Sequence, residues 1–247
     1  MAPRSHIKFI FTLLLTLLPI SAYCANESIS SFSKAKKILE KKVYPKHRTT
    51  IYCNARFDAK KNVIPLKGFQ TTKHIKRAKR IEWEHVVPAE NFGRTFSAWR
   101  SGDKMCVSSK GKAYKGRRCA NKVDAQYRYM QADMYNLYPA IGAVNAMRSN
   151  YNFQMLAQTK SMFGSCQMKI SNRKAEPPEQ ARGKIARTYL YMDNAYPHYN
   201  MSKSQRKLMT AWDKTYPVSA WECQRSKMIQ RLQGSRNTIM ESRCSSI

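Results

Sequence analysis

Apolar residues recur at helical intervals over Ser33 to Val43, where Ala35, Ile38, Leu39 and Val43 share one face, and predict a short amphipathic helix. Short apolar runs between turn-forming residues predict strands over Thr49 to Cys53 and Val63 to Leu66. Ile81 to Val87 also reads as a strand, and Pro88 should end it, because proline cannot donate to a ladder. From Tyr127 to Asn152 the period becomes helical, with Pro139 suited to the first turn of a helix that continues through Ala140 to about Arg148. Near the C-terminus, Ser202 with Gln205 and Ser219 with Glu222 fit the capping box, and Gly234 is a natural stop for the second of these helices. Leu208, Met209, Trp212, Trp221, Met228, Ile229 and Leu232 are expected in the core. The pattern predicts a mixed α+β fold, richer in helix than in strand.

The first 24 residues alter that picture. Arg4 and Lys8, an apolar run from Ile7 to Ile20 and the small pair Ser21-Ala22 follow the order of a secretory signal peptide, with cleavage after Ala22, Cys24 or Ala25. The apolar run is short for a bilayer, so no stable membrane insertion is expected once it is removed. Residues 25–247 are then one domain, interrupted by no linker or internal repeat, and six of the seven cysteines remain. An even count in an exported chain predicts three disulfides in an oxidising compartment, periplasmic or extracellular. Cys106 with Cys119 and Cys223 with Cys244 each close a short loop, which leaves Cys53 for Cys166; sequence alone leaves other pairings open.

Charge narrows the partner. The chain carries 45 Lys and Arg against 15 Asp and Glu, a formal net charge of +30. An excess of this size repels itself in the folded state and points to a polyanion, with nucleic acid first and an anionic envelope surface second. Two segments concentrate the charge. One is the run Lys73 to Arg80, with Lys76, Arg77 and Arg80; the other is the stretch around the Cys106–Cys119 loop, with Lys104, Lys112, Lys115, Arg117 and Arg118. Both are expected to touch phosphates, with little sequence preference.

The chemistry-bearing residues are few. His6 lies in the leader, and His47, His74, His85 and His198 stand too far apart to form a zinc-peptidase motif. His85 follows Glu84 and precedes Val86-Val87-Pro88. In a regular strand Glu84 and His85 would point to opposite faces, so the strand must bend or end there for both to act at one site. Asn145 and Arg148, three apart on the predicted helix, share a face and could offer an amide oxygen to a metal and a guanidinium to an adjacent phosphate. Trp83 and Trp99 could stack on bases but are expected to pack in the core.

The string Glu82-Trp83-Glu84-His85-Val86-Val87-Pro88-Ala89, followed by Asp133 to Asn150, resembles the endonuclease I family of bacterial periplasmic and secreted nucleases, part of the wider ββα-metal or His-Me finger group. Further similarity runs through Ala175-Glu176-Pro177-Pro178, Arg182-Gly183, Ile185 to Met192 and Tyr216 to Cys223, so it covers most of the mature chain. The resemblance implies a helix-rich single domain with a ββα-metal catalytic core. It implies His85 as general base and Glu84 and Asn145 as ligands of one divalent ion, Mg²⁺ first, with Mn²⁺ or Ca²⁺ as alternatives. It also implies Asn136 as a residue fixing the loop that carries the histidine, and with Arg148 these complete the expected catalytic set. The nearest basic residue to the phosphate-contacting arginine of the family's glycine-containing loop is Lys104, which lacks the arginine fork. The expected activity is phosphodiester hydrolysis on double- and single-stranded DNA, and on RNA, by a monomer. Two other classes stay open on the residues alone: a non-catalytic nucleic-acid binder, and a cationic envelope-binding protein.

Overall fold

Ser31 opens the first helix by accepting from the Lys34 amide through its hydroxyl; α1 (Phe32–Ile38) then runs into a π-helical turn at Leu39–Val43. The structure is a computed structural model that describes residues 25–245, so the leader, Cys24 and the cleavage sites after Ala22 and Cys24 lie outside the described residues. The next elements are α2 (Ile75–Ala78), β1 (Ile81–His85), α3 (Ala89–Gly93), α4 (Ser97–Arg100), α5 (Arg117–Val123) and α6 (Ala125–Ala132). A single 3-10 turn at Met134–Asn136 leads into β2 (Leu137–Ile141) and directly into α7 (Gly142–Arg148). The small strands β3 (Asn152–Phe153), β4 (Lys169–Ser171) and β5 (Lys174–Glu176) precede four helices: α8 (Glu179–Ala195), α9 (Lys203–Thr215), α10 (Ala220–Gln233) and α11 (Thr238–Cys244).

Two features position the site. β1 and β2 form an antiparallel ribbon in which Glu84 lies opposite Tyr138 and His85 opposite Leu137. Helix α7 follows β2 without a loop, so the ribbon and α7 share one buried seam that includes Leu137, Ile141, Ala143 and Val144. The second sheet orders its strands β3-β5-β4, with β3 parallel and β4 antiparallel to β5. Helix α8 runs through the interior behind both, burying Ile185, Tyr189 and Met192. Its buried Arg187 is neutralised by Asp213 of α9 at 3.1 Å and Glu222 of α10 at 2.8 Å, which ties three helices together.

Several expectations are corrected. Pro139 is not in a helix; it sits inside β2, opposite Trp83. Its carbonyl accepts from Ile51 N–H at 2.8 Å, on the side away from β1, so its missing amide hydrogen removes no ladder bond. Thr49 to Cys53 and Val63 to Leu66 are not strands, since Thr50 closes a local turn onto Ala55 and Val63 makes only an isolated bridge to Phe57. Leu232 is exposed rather than core, at 38%, whereas Met209, Trp212 and Ile229 are buried and Leu208, Trp221 and Met228 pack against the core. The capping expectations hold at α10, where the Ser219–Glu222 box is reciprocal and Gly234 ends the helix at φ 78°. At α9 Ser202 caps through the Gln205 amide.

All three cysteine pairs form as expected: Cys53–Cys166, Cys106–Cys119 and Cys223–Cys244. Among the described residues no helix is long and apolar enough to cross a membrane.

Candidate active site

Glu84 and His85 occupy the last two positions of β1, next to each other and both nearly sealed, at 3% and 8% exposure. They nevertheless line one cavity of about 360 Å³, together with Phe32, Trp83, Trp99, Arg117, Asn145 and Asn150. The strand ends at His85 because Val86 N–H turns to the Asn136 carbonyl at 3.0 Å, and Pro88 then opens α3. Asn136 fixes this bend with its side chain as well. Its Oδ1 accepts from Val87 N–H at 2.7 Å, and its Nδ2 donates to Val87 O at 2.9 Å.

One oxygen of Glu84 is fully engaged. Tyr52 Oη and Arg148 Nη1 each donate to Oε1 at 2.6 Å. No hydrogen bond among the described residues reaches Oε2. Burial pushes the Glu84 carboxyl up, while the Arg148 guanidinium and the Tyr52 hydroxyl pull against it and favour the carboxylate.

Arg148 corrects the sequence reading. It is on the same helix as Asn145, but it is completely buried, and it donates to the His85 and Val86 carbonyls at 2.8 and 2.5 Å as well as to Glu84. A guanidinium held in this way cannot reach a phosphate in the cavity; it is a positioning group for Glu84 and for the chain on either side of His85. The helical period placed it on the right face without indicating that this face is the inner one.

Asn145 lines the cavity, and its Nδ2 donates to Glu82 Oε2 at 3.0 Å. Glu82 is in turn gripped by Arg77, whose Nε and Nη2 donate to its two oxygens at 2.8 and 2.5 Å. Because the carboxylate can only accept, the Asn145 amide must direct Nδ2 towards it, which leaves Oδ1 for the cavity. Arg77 is therefore bound to an acid and is not a free phosphate contact, and Arg80 also pairs with Glu82, at 3.6 Å. Lys76, Lys112, Lys115 and Arg118 remain exposed. Glu84 and Asn145 line the same cavity, and each keeps one oxygen, Oε2 and Oδ1, without a hydrogen-bond partner among the described residues, a donor chemistry that suits a hydrated Mg²⁺-type cation. Among the described residues no group of three or more His, Cys, Asp or Glu is placed to hold a metal by itself.

His85 Nε2 lies 2.8 Å from the Gln131 carbonyl. A carbonyl only accepts, so the proton is on Nε2 and the lone pair is on Nδ1. The Phe32 ring lies against the imidazole, 4.7 Å between centroids. The pKa of His85 is pushed down to about 3, by burial first and then by the charge of Arg117, with smaller contributions from Arg148 and Lys36 against the pull of the Gln131 carbonyl. Folding thus disfavours the imidazolium, so its stabilisation is complete above the ordinary value near 6.5 and is lost as pH falls from there towards 3. In EDTA, unfolding free energy is expected to fall with a contribution from this group of about 1.4 kcal/mol per pH unit below pH 6. Urea titrations at pH 7.5, 6 and 5 should show that contribution in the wild type and not in His85→Gln. Equal slopes in the two proteins would remove His85 from the acid response.

Lys104 does not line the cavity, and the cation that does is Arg117. The Cys106–Cys119 bridge folds the basic loop back on itself, and Gly116 N–H bonds the Trp99 carbonyl at 3.0 Å, returning the chain to the site thirteen residues after Lys104. Trp83 and Trp99 are half-buried against the core and also face the cavity. Sequence reasoning missed Tyr52, Glu82 and Gln131. Each acts through a partner at least 30 residues away, except Glu82, whose signal was its place two residues before Glu84. His47 stacks on Trp221, and His198 on Phe96, both away from the cavity.

The endonuclease I family model matches residues 31–243. An extracellular deoxyribonuclease of Aeromonas hydrophila is 39% identical over 242 residues, covering 95% of this chain and 98% of its own. A periplasmic deoxyribonuclease of the same species is 39% identical over 237 residues, 93% of each chain. An endonuclease-1 of Buchnera aphidicola is 37% identical over 230 residues, 90% of this chain and 85% of its own.

Proposed function

Because this chain belongs to the endonuclease I family, we propose that it is an exported, divalent-metal-dependent endonuclease of low sequence preference that hydrolyses DNA, and RNA as well, as a monomer. Its relatives' periplasmic and extracellular names and the three disulfides support a location outside the cytoplasm, and the leader-like first 24 residues make 25–247 the proposed mature domain. The antiparallel ribbon of β1 and β2 running into α7 supports a ββα-metal reading. The observation that carries the proposal is that Glu84, His85 and Asn145 line one cavity, with Glu84 Oε2 and Asn145 Oδ1 left without hydrogen-bond partners among the described residues.

In this reading His85 Nδ1 takes the proton of the attacking water, and the Gln131 carbonyl holds the ring and its tautomer while that proton arrives. The depressed pKa keeps the base neutral at pH 7, and a developing imidazolium is favoured by the phosphate's own negative charge. Glu84 and Asn145 would hold Mg²⁺, or Mn²⁺ or Ca²⁺, which supplies positive charge to the crowded phosphate and the departing 3′-oxygen. Arg117, which lines the same cavity, offers a guanidinium to that phosphate.

The test is supercoiled plasmid, and separately RNA, incubated with oxidised mature protein and Mg²⁺, with EDTA and His85→Ala as controls. Metal-dependent nicking that falls by about 10²–10⁴ in the variant is expected. A wild-type protein that retards plasmid without cutting it would replace this reading with a binder.

A further inference from the structure

Phe32 and Arg117 line the His85 cavity on one side and, on the other, a larger open cleft of about 640 Å³. The rest of that cleft includes Ser31 before α1, Arg118 and Asn121 from α5, and Arg128 from α6; no carboxylate lines it. We propose that this cleft is the subsite for the phosphodiester next to the scissile one, holding the backbone of a single nucleic-acid strand. The proposal rests on the nuclease reading and extends it to residues outside the reaction centre.

Three observations support it. First, the positive charge is uncompensated. Arg117 donates to the neutral Gln131 amide oxygen at 3.4 Å and lies beside the Tyr127 hydroxyl, and among the described residues no acid pairs with it. Arg128 donates to the Asn121 and Lys122 carbonyls at 3.4 and 3.3 Å, and Arg118 lies over the Tyr114 ring. Of the buried arginines, 148, 182 and 187 are paired with acids and Arg225 is saturated by two tyrosine hydroxyls and two carbonyls, whereas Arg117 and Arg118 are exposed at the cleft. Three guanidiniums lining one cleft with no acid partner among the described residues are suited to an anion with several acceptor oxygens. Second, the cleft adjoins the cavity at Phe32 and Arg117, which line both, so an anion in it would lie one step along a strand whose next phosphate sits beside His85. Third, Gln131 joins the two spaces. Its carbonyl holds His85 Nε2, while its side chain accepts from Arg117 and donates to Asn121 Oδ1. The wall between scissile and neighbouring phosphates is therefore braced by the residue that orients the base.

Two substitutions leave the reaction centre intact. Arg128→Gln removes one charge. Arg118→Gln removes a second, from a side chain that lies over the Tyr114 ring and touches neither His85 nor Gln131. Each is placed on a His85→Ala background and titrated against a labelled twelve-residue single-stranded oligonucleotide in Mg²⁺ at several salt concentrations. Affinity at low salt should fall roughly tenfold for each, and the slope of log K against log salt should shrink by about 0.7 in both. In otherwise wild-type protein, KM for long DNA should rise while kcat at saturation holds. Unchanged affinity and slope would overturn the proposal, and so would a loss of kcat at unchanged slope, which marks a structural effect. Failure of the parent protein to nick plasmid would instead count against the nuclease reading, and the binding titration would still decide whether the cleft takes a strand.

Discussion

Arg148→Met is expected to lower the unfolding free energy by about 3–5 kcal/mol and to abolish plasmid nicking, although Arg148 itself touches no solvent. The size of the effect follows from what remains. Methionine fills much of the volume, but Glu84 keeps only Tyr52 as a partner for a carboxylate sealed from water, and the His85 and Val86 carbonyls lose their donor. A buried acid with no counter-charge protonates or moves, and either outcome removes the open oxygen from the cavity. Urea unfolding with nicking assays on the same preparation measures both effects. The alternative role for Arg148, a phosphate contact beside Asn145, makes the opposite forecast: a raised KM at unchanged stability. A variant as stable as wild type with only a KM defect would restore that role. Adding Glu84→Gln to Arg148→Met separates the terms further, because the double variant buries no unpaired charge and should recover part of the stability while remaining inactive.

The contrast between Arg148 and Arg117 shows what the sequence could carry. Local rules were legible wherever one stretch of chain contained both partners. The Ser219–Glu222 box, the Gly234 stop and the two short cysteine loops all closed as the spacing required. The Glu84-His85 pair was legible through its motif, and the bend that lets both side chains reach one cavity was anticipated from Pro88. What was not legible is which face of an element the fold turns inward. Asn145 and Arg148 share a helical face by spacing, yet one meets the cavity and the other the core, because the ribbon covers the last turn of α7. Pro139 misled for a related reason: a proline tolerated at a helix start is equally tolerated in a strand whose amide side faces a loop, and only the Ile51 contact distinguishes them. Lys104 was the nearest cation in sequence, but the disulfide-closed loop brings Arg117 to the site instead. Charge counting could not separate Arg77, which is bound to Glu82, from Arg118, which is not paired with any acid.

Removing the Cys53–Cys166 bridge as Cys53→Ser/Cys166→Ser is expected to be among the most damaging changes outside the reaction centre. The two cysteines are 113 residues apart in sequence, and a loop of that order constrains the unfolded chain by about 4–5 kcal/mol, against about 3 kcal/mol for the 13-residue separation of Cys106 and Cys119. The consequences should differ in kind as well as in size. Cys53 adjoins Tyr52, the second donor to Glu84 Oε1, and Ile51, which bonds the outer edge of β2, so loosening this segment reaches the Glu84 carboxylate. The Cys106–Cys119 bridge instead sets the return of the basic loop and the start of α5 at Arg117. The first double variant should therefore lose global stability and kcat together, and the second should stay folded at 25 °C with KM for DNA raised. Urea midpoints and steady-state cleavage on both proteins decide the matter. Identical losses in the two variants would show that the bridges act only as general staples, and full activity of the wild type in strong reductant would remove them from the functional account.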